Sequence, residues 1–282
     1  MGLAMRDTEA GVRKYGRLVN NLRFADDIDL LADTQKELQE LTDRVNDSSK
    51  RLGLRINREK TKTMAIGKQH RELEVKLEDR ALEQVTEFVY LGGMMTEDGS
   101  CTKDIKRRIG LSCAMYGRLS KMWKSRNLSV HTKMKLYGAL VVPVLRYGAE
   151  CWCLRKEDER RLLVAEMSWL RGIIGRSRRD RIRNETIRKK LGAEETVVDK
   201  IKKRRLTWFG HVSRMDDKRL PAAALHGQVE GTRSRGRQKK TWLDNIKEDL
   251  EEEGLDMRNA MNIIRDREKW RRHVKASSSA KA

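Results

Sequence analysis

The chain has 282 residues, of which 38% are hydrophobic and 37% charged, and its 63 Lys and Arg outweigh 42 Asp and Glu to give a formal net charge of +21. That length suits one large domain or two smaller ones, and so polar a composition predicts a thin core spread over helices with long charged faces. No stretch approaches the roughly 18 apolar residues a membrane-spanning helix needs, so no transmembrane helix is expected, and the charge excess makes nucleic acid the first partner to consider, because neutralised phosphates release counterions.

In chain order, Leu22-Arg23-Phe24-Ala25 reads as a short strand, Asp26-Asp27 as a turn, and Ile28 to Ala32 as the returning strand. Thr34 and Glu37 make a Thr-x-x-Glu capping box. Leu38, Leu41, Val45 and Leu52 then recur at helical spacing, and Gly53 can stop the helix. Strand-like pieces follow at Leu54 to Asn57, Thr61 to Ile66 and Leu73 to Leu77. Glu87 to Met95 is a further strand candidate, closed by the turn residues Glu97-Asp98-Gly99-Ser100.

From Thr102 the period becomes helical, with Ile105, Ile109, Ser112, Tyr116, Leu119 and Trp123 on one stripe. Further helices are predicted from Val130 to about Val142 with Pro143 near the end, and over Asp158 to Gly172, Asn184 to Leu191, Glu195 to Phe209, Thr241 to Glu253 and Arg258 to Val274. Glu230 to Lys240 has no core-forming residue and predicts a basic loop, and residues 276–282 a disordered tail. The fold class expected is α+β.

The sharpest chemical signal is Phe24-Ala25-Asp26-Asp27. Two carboxylates at a hairpin tip repel unless a cation lies between them. Magnesium is a hard cation that takes oxygen ligands and keeps waters, so a carboxylate pair plus substrate phosphates suits it. Two such metals stabilise the attacking and leaving oxygens of a phosphoryl transfer. Taken alone, Asp-Asp is ordinary turn chemistry. Its context adds to it: an apolar strand, the Asp pair, a capped helix, Gly53-Leu54-Arg55-Ile56-Asn57, Lys60-Thr61-Lys62-Thr63, and then Phe88-Val89-Tyr90-Leu91-Gly92-Gly93.

That order resembles the reverse transcriptase of non-LTR retrotransposons, enzymes that pair an endonuclease with a polymerase. Asn21 to Ile28 is similar to the family's catalytic carboxylate motif, and Gly53 to Thr63 to the motif after it. Tyr90, Leu91, Gly92 and Gly93 resemble its primer-grip hairpin. The likeness runs on through Tyr147-Gly148-Ala149-Glu150-Cys151-Trp152, Gly210-His211-Val212-Ser213-Arg214 and Arg235-Gly236-Arg237 to Trp242, Asp244 and Trp270. It implies the C-terminal part of an RNA-directed DNA polymerase: a partial palm over residues 10–100, a helical thumb over 101–175 and a basic helical region over 176–275. Asp26 and Asp27 would hold Mg2+, Lys60 would sit near the nucleotide's phosphates, and the partners would be an RNA template and a DNA primer or target DNA.

The family's palm also needs an aspartate on an earlier strand and a Pro-Gln-Gly segment, and Met1 to Leu22 supply neither. The chain is therefore expected not to polymerise alone. It should need a second chain or an N-terminal portion to complete its sheet, and otherwise expose strand edges and apolar surface. The alternative is a non-catalytic nucleic-acid-binding remnant.

Arg176 to Arg183 and Lys200 to Arg205 are dense basic clusters. Lys202, Lys203, Arg204 and Arg205, with Arg235 and Arg237, are candidates for phosphate contact. A solvated helix face reads the same way. The six tryptophans fall on or near apolar stripes and fit core packing better than base stacking. Cys151-x-Cys153 with His211 lacks the paired Cys-x-x-Cys spacing of a zinc site. Cys101, Cys113, Cys151 and Cys153 are too uneven for a secreted disulfide framework, and Met1 to Met5 lacks a signal-peptide pattern. The setting expected is intracellular, nuclear or cytoplasmic.

Overall fold

The structure is a computed structural model that describes residues 8–14, 17–67, 71–227 and 239–276. The chain is α+β and divides into two compact units, Met1–Gly99 with Asp217–Arg233, and Ser100–Asp216 with Ser234–Ala282. Among the described residues no helix is long and apolar enough to cross a membrane.

The first unit is built from two-stranded ribbons around one long helix. The strands are β1 (Val12–Lys14), β2 (Arg17–Val19), β3 (Asn21–Phe24), β4 (Asp27–Leu30), β5 (Lys62–Thr63), β6 (Lys76–Leu77), β7 (Arg80–Ala81), β8 (Glu83–Gln84), β9 (Glu87–Tyr90) and β10 (Gly93–Thr96). They pair as β1·β2, β3·β4, β6·β7 and β9·β10, all antiparallel, and β5·β8, parallel. Helix α1 (Gln35–Arg51) starts at the capping box, with Thr34 accepting from the Glu37 N–H and Glu37 returning a carboxylate to the Thr34 N–H. It ends in a Schellman arrangement, in which Gly53 bonds back to Lys50 O at 3.0 Å and Leu54 to Ser49 O at 2.9 Å, with Gly53 at φ 71° where only glycine is unstrained.

Leu41 and Val45 of α1 are buried with Ala10, and Ile28, Leu30 and Ile56 pack against them. Leu52, expected on that stripe, is exposed, because it is the cap residue where the chain leaves the helical period. The alternating stretch Leu73 to Leu77 buries Val75 and Leu77, but only its last two residues pair as a strand. Two glutamines replace the missing neighbour strand. Gln35 exchanges hydrogen bonds with Glu74 N and O at 3.2 and 3.1 Å, and Gln39 with Lys76 N and O at 2.7 and 2.8 Å. Backbone groups are satisfied by helix side chains where a sheet would have needed another strand. No strand forms at 54–57, which is extended coil after the helix cap.

Helix α2 (Thr102–Arg118) opens the second unit, followed by α3 (Ser120–Lys124), α4 (Val130–Leu136), a π turn at Tyr137–Val141 and α5 (Val142–Leu145). The helix predicted over 130–142 thus widens into a π turn and continues. Pro143 has no N–H, and its ring crowds the carbonyl four residues back. The wider turn makes that room. After α6 (Lys156–Ile173), α7 (Asn184–Leu191) and α8 (Val197–Ser213) come α9 (Leu220–His226), which belongs to the first unit, then α10 (Trp242–Glu252), α11 (Met257–Ile264) and α12 (Arg267–Ala276). The single helix expected over 258–274 breaks at Asp266. That carboxylate turns to accept from Glu268 N at 2.9 Å and Lys269 N at 3.0 Å, capping α12 afresh.

The helical core gathers Ile105, Tyr137, Leu145, Leu162, Leu170 and Ile201 with three tryptophans, Trp123, Trp152 and Trp169. Tyr116 stacks on Trp123 at 5.0 Å between ring centroids and on Trp169 at 6.4 Å. Burial raises the Tyr116 phenol to about 12 and Tyr137 higher still. These tryptophans pack the core, as their apolar stripes suggested. So does Trp270 on α12, only 2% exposed, whose Nε1–H donates to Leu206 O at 3.1 Å.

Gly210 explains the Gly-His pair. A β-carbon there would lie 2.1 Å from Trp270 Nε1 and 2.4 Å from its Cδ1, so α12 closes on α8 only across a glycine. Gly210→Ala is expected to cost about 1–3 kcal/mol of stability through overpacking, read as a lower urea midpoint at unchanged slope.

Candidate functional site

The Asp-Asp sequence forms a hairpin with the register Phe24↔Asp27, Arg23↔Ile28, Leu22↔Asp29 and Asn21↔Leu30. The two turn residues are Ala25 and Asp26, not Asp26 and Asp27 as expected. Ala25 has φ 53°, and Asp26 is not in the left-handed region, the pattern of a type II′ connection whose twist matches the strands. Alanine in a place made for glycine holds the tip strained by about 1–2 kcal/mol.

Residues opposite one another share a face, so the hairpin has two different sides. Ile28 and Leu30 turn to the α1 core. Leu22, Phe24, Asp27 and Asp29 share the other side, where Phe24 remains 63% exposed. Asp26, at the tip, and Asp27, at its foot, are both exposed.

The second hairpin meets this acidic face. Glu87 to Met95, one strand by its apolar pattern but a hairpin by its resemblance, folds as a hairpin, β9 and β10 around Leu91-Gly92, both with positive φ (46° and 78°), a type I′ turn. Tyr90 is the last residue of β9, and its hydroxyl hydrogen-bonds the Asp29 carboxylate. Burial, and then the charge of Asp27, push Asp29 above the usual carboxylate range, while the Tyr90 bond pulls it back. Burial and the two aspartates raise Tyr90 in turn, so the phenol keeps its proton and donates. Sequence reasoning missed Asp29. The signal available was the Asp27-x-Asp29 spacing, which puts both carboxylates on one side of a strand.

A carboxyl whose folded pKa is raised favours folding while protonated and loses that contribution as pH rises through its folded value. Asp29→Asn is therefore expected to raise the melting temperature at neutral pH in the absence of divalent metal, and to leave it unchanged at pH below the ordinary carboxylate range. A gain of equal size at both pH values would contradict this.

Lys60 lies in the turn ahead of β5, where its N–H donates to Asn57 Oδ1 at 3.1 Å. No hydrogen bond or ion pair among the described residues joins its ammonium to Asp26 or Asp27. The donor set at the tip is oxygen only, which fits a hard cation. Two carboxylates would make only part of such a cation's shell, with waters and phosphates completing it. Among the described residues no group of three or more His, Cys, Asp or Glu is placed to hold a metal ion. Cys101 Sγ accepts the Cys153 N–H at 3.4 Å, and the Cys153 thiol donates to Lys240 O at 3.0 Å.

The basic cluster on α8 is largely neutralised. Lys202 pairs with Glu252 at 2.6 Å, Lys203 with Glu195 at 2.9 Å and Arg204 with Glu150 at 2.7 Å. Arg205 corrects its expected role. It is fully buried, bound to Asp249 through Nε at 2.7 Å and Nη2 at 2.9 Å, and out of reach of a phosphate. It sits at α8's core-facing position with Ile201 and Leu206, and only its partner on α10 makes that position tolerable. Arg235 and Arg237 lie outside the described residues.

The later motifs meet around this pair. Trp152 Nε1–H donates to Asp104 Oδ2 at 2.8 Å, Trp242 Nε1–H to Glu150 O at 2.8 Å, and Asp244 forms the capping box of α10 with Thr241. Their role is architectural.

Residues 2–95 match the family model of reverse transcriptase (RNA-dependent DNA polymerase). The match contains the acidic hairpin and all but the last residue of the second, and lies within the N-terminal segment of the first unit. An uncharacterized transposon-derived protein of Caenorhabditis elegans is 27% identical over 282 aligned positions, covering 92% of this chain and 96% of that protein. No solved structure matches. Over its first third the chain is thus similar to reverse transcriptases, and over nearly all its length, helices included, to a protein of transposon origin.

Proposed function

We propose that the chain is the C-terminal part of a non-LTR retrotransposon reverse transcriptase, contributing one carboxylate hairpin of the palm, the primer-grip hairpin, a helical thumb and a basic terminal region. One observation carries the reading: the acidic hairpin and the Leu91-Gly92 hairpin are tied together by Tyr90 and Asp29, so the metal-binding tip and the primer's resting place are held as one piece.

In this reading Asp26 and Asp27 hold Mg2+, Lys60 assists at the phosphates, and the primer end rests on Tyr90 to Gly93. Bound magnesium would acidify the primer hydroxyl and neutralise charge developing on the phosphoryl oxygens. The protein's own part is positional. The strained Ala25 turn lifts Asp26 clear of the strands, and the Tyr90 hydroxyl holds Asp29 back from competing for the cation. The exposed Leu22 and Phe24 face is the surface that an upstream segment bearing the remaining carboxylate would cover.

A primer-extension assay with magnesium, RNA template and DNA primer tests this. The chain alone is expected to give no product, and the chain joined to an upstream palm segment is expected to give template-dependent product. Product from the chain alone, lost in Asp26→Ala, would overturn the requirement for a further segment.

A further inference from the structure

The helical unit contains an open groove of roughly 830 Å³ between α6, the segment at 176–178 and the start of α7. Its floor is apolar, with Leu163, Val164 and Met167 of α6, and Val164 is 57% exposed. Its walls carry Lys156, Arg160, Arg171, Arg176, Arg178 and Arg188 against only Glu159 and Glu185.

The cations differ in how they are paired. Lys156, Arg176 and Arg188 have carboxylate partners in Glu159, Asp180 and Glu166. Arg160 and Arg178 are exposed and make no ion pair among the described residues. Among the described residues Arg171 bonds only to neutral acceptors, Met167 O and Ile182 O at 3.4 Å and Asn184 Oδ1 at 2.5 Å, and its buried Nε has no acceptor there. Three guanidiniums without a counter-charge, one with an unmet buried donor, therefore line a single trough. On α8 every cation from Lys202 to Arg205 is already matched.

We propose that this groove binds single-stranded nucleic acid, its phosphates on Arg160, Arg171 and Arg178 and its sugars and bases against Leu163, Val164 and the guanidinium planes. Unpaired guanidiniums suit phosphate oxygens, and an apolar floor suits bases freed from a duplex, whose faces a double helix keeps stacked inward. The choice of nucleic acid over another polyanion rests on the polymerase reading above and on the net charge of +21.

Binding of a fluorescein-labelled oligothymidylate to the full chain, followed by anisotropy across salt concentrations, tests the groove independently of any polymerase activity. Arg160→Gln/Arg178→Gln is compared with the charge-matched Lys202→Gln/Lys203→Gln, and unchanged circular dichroism establishes that each variant is folded. The groove variant is expected to weaken binding on the order of tenfold and to lower the salt slope by about 1.4, two phosphates at roughly 0.7 each on a single strand. The α8 variant is expected to do neither. Equal weakening by both variants, an unchanged slope, duplex bound as tightly as the single strand, or displacement by polyglutamate at equal charge would each overturn the proposal.

Discussion

Asp249→Ala is expected to cost about 3–5 kcal/mol, a large part of what a domain of this kind has. Arg205 is fully buried, and among the described residues the Asp249 carboxylate is its only ion-pair partner. Its remaining acceptor is the carbonyl of Trp152 at 3.4 Å, a long bond to a neutral group. Truncating the aspartate leaves a charged guanidinium stranded in the interior of the helical unit. Burial is the larger influence on Asp249 and raises it to about 6, with Arg205 pulling it back. The pair therefore stands on a heavy desolvation cost, and removing both charges together should be far milder than removing one. Arg205→Met/Asp249→Leu is expected to melt near the parent, while either alanine variant melts well below it. A single alanine variant with the parent's stability would show that the pair contributes nothing.

Asp26→Ala is expected to lower primer extension by at least the order of 10³-fold in the enzyme joined to an upstream palm segment, since removing even one preorganised charge-stabilising group costs about 10²–10³. Asp27→Ala should fall in the same range. Asp29→Asn should differ by severalfold at most, because its carboxyl is partly withdrawn from solvent and engaged by Tyr90. The comparison separates metal ligation from mere acidity on one face. Loss of equal size at Asp29 would mean that the whole acidic side acts together, and full activity in Asp26→Ala would remove the tip from the chemistry. Extension rates under single-turnover conditions measure the difference.

Much of the first unit was legible because its signals are local. The capping box at Thr34 and Glu37 and the stop at Gly53 bound α1 within a residue. The Asp pair announced a hairpin, but the turn moved one residue earlier, because twist favours a two-residue II′ connection and Ala25 takes the strained position. A hairpin at Leu91-Gly92 was expected only through the likeness of Tyr90 to Gly93 to a primer grip, since the apolar run alone reads as one strand and leucine seldom adopts φ 46°. The alternation at 73–77 was real, yet its partner was a helix presenting Gln35 and Gln39, which no strand pattern reveals.

In the second unit, periodicity located the long helices, whereas pairing across the chain could not be read. Arg205 and Asp249 lie 44 positions apart, and a run of four basic residues gives no sign that one of them points inward. The unpaired arginines of the groove were hidden for the same reason. Charge is visible in sequence, but which charges are already neutralised depends on the fold.

The most direct test of the cation at the hairpin tip is iron-directed cleavage of the full chain, with Fe2+ and ascorbate replacing magnesium and the cuts mapped along the backbone. Cuts are expected across residues 21–30, suppressed by excess magnesium and absent in Asp26→Ala/Asp27→Ala. Cuts that persist in that double variant, or that fall only elsewhere in the chain, would contradict a metal held by these two aspartates.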